Sequence, residues 1–70
     1  MNTSVIPMER LPFSAAIDVP PGILVRIRNG HLTLEGVVAW NYERVFAERA
    51  VKGMRGIRSV FNNILVRPQA

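Results

Sequence analysis

Residues 22–38 read GILVRIRNGHLTLEGVV, two alternating apolar runs on either side of Asn29-Gly30. Both central residues of a type I′ turn need positive φ, which Asn and Gly accept, so the pair predicts a two-residue hairpin turn. Such a turn sets the register. Arg28 faces His31, Ile27 faces Leu32, Arg26 faces Thr33, Val25 faces Leu34, Leu24 faces Glu35 and Ile23 faces Gly36. Side chains alternate along a strand, so Ile23, Val25, Ile27, Leu32, Leu34 and Val38 form one inward face. Leu24, Arg26, Arg28, His31, Thr33, Glu35 and Val37 form the other. Gly36 falls on the inward face, where a missing side chain predicts a bulge or the close approach of a helix.

Outward from the hairpin, Asn41 is the expected N-cap of a helix over 41–54. Ala47, Ala50, Val51 and Met54 make its apolar stripe, with Phe46 and Trp40 at the margins and Tyr42, Arg49 and Lys52 pointing away. Glu48 and Lys52 have the spacing of a favourable i,i+4 pair, and Gly56 suits the left-handed position that closes a helix. Ile57–Arg67 then predicts a third strand, with Val60, Asn62, Ile64 and Val66 toward the helix. Phe61, Asn63, Leu65 and Arg67 face out, and Pro68 stops the strand. Strand, helix and strand in one sense make a right-handed βαβ unit. Upstream, Pro7, Pro12, Pro20 and Pro21 exclude a long helix. Residues 1–21 are therefore expected to be an irregular, proline-rich segment with at most a short helix over Phe13–Val19. The core spans 22–67, and 68–70 are a tail.

Leu32–Val38 (LTLEGVV), Ala47–Val51 (AERAV) and Gly56–Val66 (GIRSVFNNILV) resemble the BON domain, a bacterial module named for osmotic-stress and nodulation proteins and associated with transport. Trp40–Arg44 (WNYER) is similar to the helix start of some members. The resemblance implies an αββαβ fold. Because residues 1–21 cannot supply a full first helix, the predicted architecture is α+β, with that helix shortened or missing. One main helix crosses one face of a three-stranded mixed sheet. The place of the first helix is then taken by Phe13–Val19, by a partner chain, or left partly open. The resemblance also implies a non-catalytic binding module, in an envelope or stress-response setting. It associates with anionic phospholipid surfaces or serves as a protein adaptor.

Composition bounds the rest. Seventy residues, 49% of them hydrophobic, make one small globular domain. The absence of Cys excludes disulfides and thiolate metal sites. Nine basic against five acidic residues give a net charge of +4, which favours anionic partners. No apolar run approaches the roughly 20 residues of a membrane-spanning helix. MNTSVIPMERLP lacks the pattern of a signal peptide, so the chain as written is cytoplasmic; as a fragment, the resemblance implies periplasm or cell envelope.

No catalytic, metal or cofactor residues are expected. His31 is the only histidine, at a hairpin tip. Glu43 and Glu48 are five apart on a helix and do not converge. Ser4, Ser14 and Ser59 lack a nucleophile-elbow setting. Gly53-Met54-Arg55-Gly56 matches the GxxG of nucleic-acid-clamping loops, but here it joins a helix to a strand, where ending the helix suffices. Nucleic acid is a distant third partner. Two surfaces remain. Trp40, Tyr42, Arg44, Arg49, Lys52, Arg55 and Arg58 form a candidate membrane or anion surface, with Trp40 either an interfacial anchor or a core residue. Leu24, Arg26, Arg28, Val37, Phe61, Leu65 and Arg67 form a candidate protein interface, four apolar side chains edged by arginines. That interface would serve a homo-oligomer or another domain of a larger protein.

Overall fold

The hairpin turn has the expected backbone: Asn29 at φ 51° and Gly30 at φ 82°, both positive. The structure, a computed structural model, describes residues 3–11 and 22–68. It contains β1 (Ser4–Pro7), β2 (Leu24–Arg28), β3 (His31–Val38), α1 (Asn41–Lys52) and β4 (Ser59–Val66), with a 3-10 turn at Met8–Arg10. The β2–β3 register runs from Arg28↔His31 to Leu24↔Glu35, as the turn type dictates. Strand β4 lies parallel to β3, His31 opposite Ser59 and Val38 opposite Val66, with α1 as the crossover.

The sheet has four strands rather than three, in the order β1-β2-β3-β4. The extra strand corrects the irregular reading of residues 1–21: Ser4–Pro7 pairs antiparallel with β2, Ser4 opposite Ile27 and Pro7 opposite Leu24. Proline is tolerated because β1 is an edge strand and Pro7 ends it, where no ladder donor is needed. The short helix expected over Phe13–Val19 lies outside the described residues.

Helix α1 packs on β3 and β4. Its Ala47 and Val51 are fully buried against a core of Ile23, Val25, Leu32, Leu34, Val38 and Ile64. Met8 and Leu11 join that core from the 3-10 turn, and the Met8 N–H donates to Ile23 O at 3.0 Å. Each such side chain withdrawn from water is worth ~1.5–3 kcal/mol. Two residues thus supply part of the cover that a first helix would give.

Several local expectations are corrected. The N-cap is Trp40, not Asn41. The Glu43 carboxylate accepts the Trp40 N–H at 3.1 Å, the half of a capping box that a glutamate at the third helical position provides. Helix α1 ends at Lys52 rather than Met54, with Gly53 following it; Gly56, at φ 82°, serves the next turn instead of the helix end. That turn docks on the hairpin through Arg58 N–H to Gly30 O at 2.7 Å, and the ladder of β4 starts at Ser59 rather than Ile57. The close neighbour of Gly36 is neither a helix nor a bulge. A Cβ built there would stand 2.6 Å from Gly22 O and 3.2 Å from Ile23 Cα, on a backbone at φ 147°. The expected Glu48–Lys52 pair is also absent from the ion pairs of the described residues. The Glu48 carboxylate accepts Asn62 Nδ2 at 3.1 Å instead, because Asn62 faces the helix from β4.

Candidate functional site

Two surfaces come out of this fold, on opposite faces of the sheet. The first is the solvent side of α1. Tyr42, Val45, Arg49 and Lys52 stand at i, i+3, i+7 and i+10, so they share one stripe, and all four are exposed. Val45 was missed by the sequence reading, which placed Tyr42, Arg49 and Lys52 on this side and gave Val45 no face. The two helix acids do not share this stripe's exposure. Glu43 and Glu48 are half-buried and held by the Trp40 N–H and Asn62. The exposed ionised groups of α1 are therefore Arg49 and Lys52.

Trp40 is 60% exposed and Tyr42 69%, so Trp40 is not a core residue. Arg44 is half-buried beside β4, its carbonyl accepting the other Asn62 Nδ2 bond at 3.1 Å. Arg55 is exposed in the turn after the helix, and Arg58, also exposed, sits against Gly30 at the hairpin turn. The seven residues are thus spread along the helix. Aromatic Trp40 and Tyr42 lie at its start and Lys52, Arg55 and Arg58 toward its exit, ~18 Å apart for 12 residues at 1.5 Å each. No helix among the described residues is long and apolar enough to cross a membrane.

The second surface is the outward sheet face, whose rows follow from the registers. At the hairpin end, β2, β3 and β4 place Arg28, His31 and Ser59 side by side. The next row is Val5, Arg26, Thr33 and Phe61, followed by Pro7, Leu24, Glu35 and Asn63. Val37 and Leu65 form the row beyond. Leu24, Arg26, Arg28, Val37, Phe61, Leu65 and Arg67 are all exposed, Phe61 at 66% and Leu65 at 57%. They share a face but do not form one apolar field. Arg26 Nε donates to Glu35 Oε1 at 2.9 Å across the middle of the sheet, between Leu24 on one side and Phe61 on the other. Val37 and Leu65 are an apolar pair on β3 and β4, separated from Phe61 by the row of Glu35 and Asn63. At the hairpin end His31 Nδ1 shares a 2.7 Å hydrogen bond with Ser59 Oγ. That contact was not legible without the parallel register of β4.

Among the described residues no three of His, Asp and Glu gather as a metal-binding group. A family model described as BON domain matches residues 8–68. The match begins at Met8, the residue that opens the 3-10 turn. No curated protein and no solved structure matches the chain at a significant level.

Proposed function

The chain belongs to the BON domain family, and from that premise we propose that it is a non-catalytic binding module whose helix side associates with anionic phospholipid surfaces. The observation that carries the reading is the division of charge on α1. Both acids are turned into hydrogen bonds of the fold, while Arg49 and Lys52, continued by Arg55, meet solvent. Exposed Tyr42 and Trp40 supply amphipathic rings suited to a headgroup layer. Each basic residue near an anionic membrane contributes at most ~1 kcal/mol and is screened within a Debye length. Arg49, Lys52 and Arg55 together give at most ~3 kcal/mol, an association no tighter than millimolar that becomes useful only in oligomers or tandem copies.

Cosedimentation with vesicles across a salt series tests this. Binding to anionic but not neutral vesicles, lost at high salt and reduced by Lys52→Glu with Arg55→Glu, is the expected outcome. No binding at low salt refutes it. A second reading, a structural adaptor that contacts only protein, is favoured by exposed Val37, Phe61 and Leu65 on the opposite face. In that reading the outward face meets a second copy or another domain.

A further inference from the structure

At the hairpin end of the outward sheet face lies a depression of about 360 Å3, lined by Thr3, Arg26, Arg28, Asn29, His31 and Thr33. Its shape follows from register. Arg26 and Arg28 stand two apart on β2, so both side chains leave the same face. Thr33 is the partner of Arg26, and His31 that of Arg28. Thr3, the residue just before β1, lines the same hollow from the far side of β2. Two long cationic side chains among short threonines leave a hollow between them.

The lining is rich in donors and contains no carboxylate: two guanidiniums, two hydroxyls and the Asn29 amide. Glu35, outside it, engages Arg26 through Nε alone, so the two terminal nitrogens of that guanidinium stay available among the described residues. The Arg28 guanidinium has no hydrogen-bond or ion-pair partner among the described residues. His31 is steadied at the rim by its bond to Ser59. Guanidinium forks match oxyanions with short, charge-assisted hydrogen bonds. A tetrahedral phosphate, with acceptor oxygens in several directions, uses donors arriving from Thr3 ahead of β1, from β2, from β3 and from the turn. A planar carboxylate would use one fork.

We propose that this depression binds a single phosphate group, carried by a soluble ligand. The soluble source follows from the fold. Helix α1 covers the inward face, so a chain lying helix-side on a membrane turns the depression toward water. The site itself does not depend on the membrane reading, whereas its soluble source rests on it, and the site adds a second ligand class to the module.

Amide NMR titration of the chain with inorganic phosphate, at constant ionic strength, tests the assignment. The expected result is saturable shifts confined to Thr3 and to residues 26–33, with a millimolar dissociation constant. Arg28→Gln, at an exposed position, weakens binding roughly tenfold, and Thr33→Val weakens it less. Arg10→Gln, which removes the same charge elsewhere, leaves it unchanged. Linear shifts, shifts of equal size over residues 49–58, or an Arg28→Gln variant that binds as the parent does would each overturn the site. Vesicles containing phosphatidylglycerol form the second arm. Perturbation of the same amides by vesicles, abolished by Arg28→Gln, would overturn the soluble source.

Discussion

Replacing Asn62 with Ala should be costly although the position is partly exposed. Its Nδ2 donates to Arg44 O and to Glu48 Oε1, both at 3.1 Å, and its Oδ1 accepts the Ile64 N–H at 3.1 Å. One side chain thus ties the first and second turns of α1 to β4. Neutral hydrogen bonds contribute ~1 kcal/mol each net, and one to a carboxylate ~1.5–3 kcal/mol. The simple sum is ~4 kcal/mol, but Asn62 is only half-buried and water replaces part of what is lost, so the expected cost is ~2–3 kcal/mol. In a domain of this size that lowers Tm by about 8–24 °C. Urea denaturation followed by circular dichroism measures it, with the m-value unchanged. A double-mutant cycle with Glu48→Ala should return a coupling of ~1 kcal/mol. Asn62 has a second effect at the edge of the sheet. The Arg67 N–H reaches back to Val38 O on β3, so N–H groups of the opposite parity, Ile64 among them, point away from the ladder. Asn62 occupies that donor, and its loss should raise aggregation on the open side of β4. A stability loss under ~0.5 kcal/mol would refute the network as a structural tie between α1 and β4.

Two other outcomes follow from the fold. Gly36→Ala should cost ~2–4 kcal/mol in the same denaturation assay, through overpacking against the Gly22–Ile23 backbone and strain at positive φ; a neutral result would contradict the close approach. If the outward face is a contact between copies, sedimentation at micromolar concentration shows a dimer. Phe61→Asp then dissociates it by placing an unpaired charge in an apolar contact, whereas a monomeric parent chain refutes that use of the face.

Much of this fold is local, and local features are legible in sequence. The Asn29-Gly30 turn determined the β2–β3 register by itself, because a two-residue loop leaves no freedom to slip. Alternation then assigned both faces of β3 and β4, and the spacing of Ala47 and Val51 assigned the buried stripe of α1. What required the tertiary structure was long-range. Strand β1 was concealed by prolines and exists because four residues meet the open edge of β2 about twenty positions later in the chain. The turn register placed Ile23 opposite Gly36 but not the close approach of Gly22 O, and two of the three bonds of Asn62 reach 14 and 18 residues back to α1, which no local pattern encodes. The candidate surfaces divide in the same way. That arginines 26 and 28 face outward was fixed by parity. Their meeting with Thr3 in a donor-lined hollow depends on where the elements pack. Sequence periodicity determines the direction in which a side chain leaves its own strand or helix, and only packing determines what stands opposite.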